Sequence, residues 1–222
     1  MSITSFIIGI VNPLKPVVRK LVPKAGVVHL RSAYRWLQDR RIAKEPDRRF
    51  MASTIVPALV AEGARAVLFV GTRSYSRITV TQLAKAGVVI WTSDIDPDAE
   101  RFGAPGQHRT LDACAMTAKD FPVAFDTILM NGVLGYGVNS KAQCSQSLAA
   151  VRSLLPEGGR CILGWNTDRC PDVPRLAAQA GLVPAPLGSV GPQVQFEGST
   201  HVYDFLRAEL VVCAMLLCSP NP

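Results

Sequence analysis

At 222 residues, with 48% hydrophobic and 18% charged side chains, the chain has ample apolar material for a buried core, which excludes disorder as its ground state. A net charge of +7 favours acidic partners, whether phosphorylated or carboxylated ligands, nucleic acid or an anionic membrane face, without choosing among them. No stretch approaches the ~20 apolar residues that span a bilayer, no secretory signal is evident, and Cys114, Cys144, Cys161, Cys170, Cys213 and Cys218 show no ligand spacing, so reduced thiols in a cytoplasmic protein without a metal site are expected.

Residues 1–26 mix apolar positions (Phe6, Ile7, Ile10, Leu14, Leu21) with Lys15, Arg19, Lys20 and Lys24, and Pro13, Pro16 and Pro23 prevent a long helix. A flap over a pocket, a dimer contact and a peripheral membrane anchor all suit that pattern. Residues 30–62 read as helical in two halves, with Pro46 in the first turn of the second half and Gly63 ending it. The basic block Arg31 to Arg49, interrupted by Asp39, Glu45 and Asp47, reads as a solvated helical face or an anion-binding surface.

From residue 64 short apolar runs alternate with helical ones. Strands are expected at 66–70, 87–91, 108–111, 125–130 and 160–165, with helices through Leu83 and Ala84, over 141–155 and over 172–180. Two last strands, at 194–196 and 201–206, arrive consecutively and predict a closing antiparallel pair. The fold class that follows is α/β: a Rossmann-like, doubly wound, mostly parallel sheet with a closing antiparallel C-terminal strand and an N-terminal helical extension. The expected divisions are an extension or lid over 1–50, the Rossmann-like domain over 51–209 and an apolar tail over 210–222.

In such a sheet ligands bind at the carboxyl ends of the strands, at the point where the strand order reverses. The first strand-to-helix turn is Gly71-Thr72-Arg73-Ser74, where Gly71 permits a sharp turn and the following amides lie near a helix start. The second strand ends in Ser93-Asp94-Ile95-Asp96-Pro97. Asp94 stands near the ~20-residue spacing of a carboxylate that accepts hydrogen bonds from a ribose cis-diol. Asp94 and Asp96 as plain turn residues is the competing reading.

With these segments on the page, the series resembles the class I S-adenosylmethionine-dependent methyltransferases over roughly residues 64–208. Val67 to Arg73 resembles the family's glycine turn and Ser93 to Pro97 its ribose carboxylate. His108-Arg109-Thr110-Leu111-Asp112-Ala113 resembles the adenine-contacting segment, Phe125 to Leu134 the strand and turn facing the methyl donor, and Leu154 to Leu163 the entry to the fifth strand. The resemblance implies S-adenosylmethionine as cofactor, held by Gly71, Thr72, Arg73, Ser74, Asp94, Asp112, Ala113 and Asn131. Phe69 stands where the family usually has an acid, and Arg73 and Tyr75 stand where it has further glycines. Arg73 is left to reach the cofactor's carboxylate, an anionic substrate or solvent.

A sulfonium methyl is already electrophilic, so a protein mainly aligns the nucleophile and excludes water, while a hydroxyl nucleophile also wants a base. Asn131, His108 and His201 are the candidate catalytic residues, with Asp168 and Tyr136 as further bases. Asn131, Asn166 and Asp168 make a thin oxygen set for Mg²⁺. O-methylation of a small molecule or glycan is expected, with a homodimer or other homo-oligomer in view. RNA methylation through the basic block and a non-catalytic binding or scaffold module are the alternatives.

Overall fold

The computed structural model describes residues 45–170 and 172–209, all within a compact unit that begins at Glu45. The expectations for 1–44 and for the tail 210–222 lie outside the described residues. α1 (Pro46–Phe50) belongs to the same unit as the sheet.

α1 runs through a π-helical turn, Met51–Ile55, into α2 (Val56–Ala61). Pro46 occupies the first turn, as expected. The π turn has a local cause: Pro57 has no N–H to return to the chain behind it, and the ladder slips so that Val56 N–H donates to the Met51 carbonyl. Gly63, at φ +82, ends the helix in the left-handed region.

β1 (Ala66–Val70), β2 (Val89–Asp94), β3 (His108–Thr110), β4 (Thr127–Asn131) and β5 (Arg160–Asn166) pair in parallel in the order β3-β2-β1-β4-β5. α3 (Arg77–Lys85), α4 (Lys141–Leu154) and α5 (Val173–Gln179) are its helices. β8 (His201–Ala208) then lies antiparallel on β5, so the closing antiparallel strand is present. Its outer edge carries two short strands rather than one. β7 (Gln193–Gln195) pairs with it over residues 202–204, and β6 (Leu182–Pro184) over 206–208. β6 has too few residues to show a period and escaped the sequence pattern.

Burial on both faces explains the continuous apolar strands. Val67, Phe69, Ile90, Leu129 and Ile162 point to the face covered by Met51, Ile55, Leu59, Val80 and Leu83. Leu68, Val70, Ile128, Met130 and Leu163 point to the other, covered by Leu148 and Val151 of α4 and Leu176 of α5. Among the described residues no helix is long and apolar enough to cross a membrane.

Candidate active site

Between β1 and β4 the strand order reverses, and connections leaving in opposite directions open a crevice at the carboxyl ends. The cleft there holds about 600 Å³ of empty space, open solvent included. Gly71, Arg73, Asp94, Asp112 and Ala113 line it, together with Ile95, Gly132 and Tyr136. These residues, far apart in sequence, meet because β1, β2 and β4 end at one level.

Gly71 has φ +90, and a Cβ there would run into the Asn131 carbonyl oxygen, so only glycine lets the first turn pack on the end of β4. The Thr72 hydroxyl is buried and donates to the Ser93 carbonyl at 3.2 Å, bracing the turn against β2 outside the cleft lining. Ser74 opens a 3₁₀ turn, Ser74–Ser76, and is also absent from the lining.

Asp94 is buried at the cleft wall, and both of its oxygens are engaged. Oδ1 accepts from the Asp96 N–H at 2.9 Å, and Oδ2 accepts from Arg73 Nη1 at 2.7 Å. Arg73 therefore reaches neither plain solvent nor an open anion site: its guanidinium sits on the expected ribose carboxylate. Asp96 is a capping residue, its Oδ1 accepting from Asp98 N–H at the start of the 3₁₀ turn Pro97–Phe102. The Asp112 carboxylate holds the Cys114 N–H beside Ala113, and Ile95 shows an exposed apolar side chain to the cleft.

Three expected catalytic residues lie off this cleft. His108 is buried on β3 with Nδ1 2.9 Å from Thr92 Oγ1, against Gly103; burial, ahead of its charged neighbours, lowers its pKa. Asn131 turns its amide away from the cleft, donating from Nδ2 to the Tyr203 hydroxyl at 3.3 Å, while its Oδ1 lies over Gly164, where a Cβ would collide with it. Only its backbone carbonyl faces the Gly71 turn.

His201 belongs to a second grouping beside the cleft. Its Nδ1 lies 3.3 Å from Asn166 Oδ1, an oxygen that also accepts from Tyr136 Oη at 3.2 Å. Its Nε2 faces Asp47 Oδ2 at 3.7 Å. Arg48 Nε stands 3.4 Å from the same Asp47 oxygen, and its guanidinium carbon lies 4.2 Å above the Tyr75 ring. The Tyr203 hydroxyl donates to the Asp47 carbonyl at 3.3 Å, and burial pushes that phenol up, so it stays protonated. Burial also lowers His201 to about 4, outweighing the attraction of Asp47 for the charged form.

No protein-family model matches the chain, and no curated protein matches it. Solved structures do. An S-adenosylmethionine-dependent methyltransferase from Clostridium acetobutylicum superposes with a TM-score of 0.62 at 9% identity, over 81% of this chain and 99% of that one. The N-methyltransferase NodS from Bradyrhizobium japonicum, solved with S-adenosyl-L-homocysteine, gives 0.59 at 15%, over 76% and 90%. A TehB-like S-adenosylmethionine-dependent methyltransferase from Corynebacterium glutamicum gives 0.56 at 18%, over 78% and 99%. The fold is that of the class I methyltransferases.

Within that methyltransferase fold, the departures from the family pattern have structural employment here. Phe69 is a buried member of the core face under α2, Arg73 pairs with Asp94, and Tyr75 carries Arg48 over its ring. Sequence reasoning missed Asp47, Arg48, Tyr75 and Tyr203. Asp47 and Arg48 belong to the basic block that reads as a solvated helical face or an anion-binding surface, whereas Asp47 is buried. Asn166 was weighed only as a metal oxygen, whereas its amide is shared among Tyr136, Thr200 and His201.

Proposed function

We propose that the protein is an S-adenosylmethionine-dependent methyltransferase that methylates oxygen on a small molecule or glycan. The observation that carries this reading is the meeting of the Gly71 turn, the Asp94 carboxylate and the Asp112-Ala113 segment around one cleft at the strand reversal. Those residues fit the cofactor. The turn that only glycine allows leaves room against β4, Asp94 is an acceptor for a ribose diol, Ile95 offers an apolar face to a purine, and Asp112 is an acceptor beside it for an exocyclic amine. When bound, the cofactor supplies an electrophilic methyl group on sulfur.

The chain's own work is then alignment and proton handling. Asp94 must exchange Arg73 for the ribose hydroxyls, since a carboxylate oxygen held at 2.7 Å by a guanidinium is not free for both. Gly132 and Tyr136 form the wall shared with the His201 grouping, Tyr136 through its bond to Asn166. A neutral imidazole there suits a hydroxyl acceptor, which must lose a proton.

The Arg73–Asp94 pair favours one rival, a module that has given up its cofactor. Calorimetry with S-adenosylmethionine and S-adenosylhomocysteine decides between them. Saturable binding that weakens in Asp94→Ala is expected, and no heat from either ligand at millimolar concentration would overturn the enzyme reading.

A further inference from the structure

Two thiols meet in the core behind the cleft wall. The sulfur atoms of Cys144 and Cys170 lie 3.0 Å apart. Unbonded carbon atoms pack at ~3.5–4.0 Å, and sulfur is the larger atom, so this contact is tighter than ordinary packing. In a disulfide the sulfurs stand ~2.05 Å apart, which leaves the pair about 1 Å short of a covalent bond. Both backbones are anchored. The Cys144 N–H, in the first turn of α4, donates to the Ser140 carbonyl at 2.9 Å, and the Cys170 N–H donates to the Asn166 carbonyl at 3.2 Å. Cys144 is fully buried and Cys170 nearly so, in one core cluster with Leu134, Val138, Leu148 and Val173. Among the described residues no other two thiols make such a contact: the Cys114 sulfur meets the Gln143 carbonyl at 3.5 Å, and Cys161 is buried on β5.

We propose that Cys144 and Cys170 are an oxidation site, closed to a disulfide by a small hydroperoxide, and that the bond pins α4 to the chain leaving β5 behind the cleft wall. The chemistry of the pair is independent of the methyltransferase reading. Burial selects the oxidant. A bulky disulfide reagent would leave a large adduct on a core sulfur, whereas hydrogen peroxide adds a single oxygen atom. The cleft feels the bond because Cys144 Sγ lies 3.8 Å from the Val138 carbonyl, and Val138 and Gln143 both line the cleft. The same carbonyl accepts from the Gly135 N–H at 2.8 Å, closing the loop that carries Tyr136.

Oxidation begins at Cys170, the less deeply buried sulfur, which follows the exposed residues 167–169. Its sulfur gives up a proton and attacks one peroxide oxygen. The O–O bond breaks, the other oxygen leaves as water, and Cys170 becomes a sulfenic acid. Cys144 Sγ then attacks Cys170 Sγ: the S–S bond forms, the S–O bond breaks, and the Cys144 proton leaves with that oxygen as a second water. Two thiols lose two electrons, and one peroxide is reduced to two waters. Burial, ahead of the contact with Cys170, pushes the Cys144 thiol up to about 12, so it keeps its proton until the sulfenic acid is beside it.

The test uses the full chain, reduced and then titrated with hydrogen peroxide at neutral pH. Intact mass should fall by two hydrogens, and peptide mapping should join the Cys144 and Cys170 peptides. The oxidised chain should melt about 5 °C or more above the reduced one, since a bond across 26 positions restricts the unfolded chain. Hydrogen exchange at the Gly135 and Tyr136 amides should slow by ~3-fold or more. Cys170→Ser should show neither the mass loss nor the higher melting point. Cys114, part-exposed on the cleft wall, reports that peroxide has acted. Cys114 oxidised to the sulfinic acid while Cys144 and Cys170 stay reduced would overturn the site. So would a disulfide joining any other of the six cysteines, or an oxidised chain that melts no higher. Unchanged exchange at Gly135 and Tyr136 would overturn the link to the cleft. Should Cys170→Ser fail to fold, mass, mapping and melting of the wild type decide the matter alone.

Discussion

The two polar groupings at the carboxyl edge of the sheet are neighbours built on opposite terms. In the cleft, Asp94 has both oxygens filled, one by a backbone amide and one by Arg73, whose side chain is 43% exposed. In the Asp47–His201 grouping, buried nitrogen atoms of Arg48 and His201 have no hydrogen-bond partner among the described residues. A filled, buried carboxylate must be vacated by competition, and its ion pair with the half-exposed Arg73 is weakened by solvent. A buried nitrogen without a hydrogen-bond partner instead carries an uncompensated desolvation cost. The difference separates a carboxylate whose oxygens are both satisfied from buried nitrogens that are not.

The largest effect expected from this contrast is on stability against pH. His201 lies at about 4 in the fold, against an ordinary 6.5. Its folded-state value is depressed, so its contribution is fully present above pH 6.5 and is lost as pH falls from 6.5 to about 4, where the unfolded chain binds a proton that the fold refuses. Unfolding free energy should therefore drop on the order of 3 kcal/mol across that window. Denaturant titrations of wild type and His201→Gln would show it as a slope that the variant lacks. Identical slopes would place His201 in solvent-like surroundings and dissolve the comparison.

Next in size is Asp94→Ala, expected to weaken cofactor binding by ~10-fold or more, about 1.5–3 kcal/mol, as the loss of a charge-assisted partner implies. Wild-type affinity in that variant would remove Asp94 from the cofactor site. Asn131→Ala should lower the melting temperature while turnover per folded molecule and cofactor affinity hold, because its amide holds Tyr203 and packs over Gly164 rather than facing the cleft. A turnover loss of ~10-fold or more at unchanged stability would return Asn131 to the site.

Arg73→Ala sharpens the comparison in the opposite direction. Releasing Asp94 from a half-exposed ion pair should tighten cofactor binding by ~2- to 5-fold, the scale of such pairs. Weaker binding in that variant would mean that Arg73 turns from Asp94 to the cofactor itself. Asp96→Ala, which loses only a turn cap, should change affinity by less than ~2-fold; calorimetry on the same preparation measures both.

Much of the sheet was legible because its strands are buried on both faces and so appear as unbroken apolar runs. Val67 to Val70, Ile128 to Met130 and Cys161 to Leu163 are examples. Gly71, Asp94 and Asp112 were legible as a site because parallel strands of similar length end at one level, so position after a strand fixes position in space. The His201 grouping was opaque for the opposite reason. Asp47 and His201 are separated by most of the domain, and they meet only because β8 runs back antiparallel along β5 and brings its first residue beside Asn166. Nothing in a basic stretch such as Pro46-Asp47-Arg48-Arg49 distinguishes a buried carboxylate from a solvated one.

The sequence by itself determined the alternation of strand and helix, the parallel core and the place of the cleft, since these follow from local periodicity and from chain order through a doubly wound sheet. The tertiary structure alone decided which polar groups meet. That Arg73 turns onto Asp94, that Asn131 serves Tyr203 instead of the cleft, and that His201 meets Asp47 at 3.7 Å depend on side-chain directions and long-range packing. Hydrogen bonds and charges act over a few ångströms, and residues that far apart along a chain come within that range only once the whole sheet has closed.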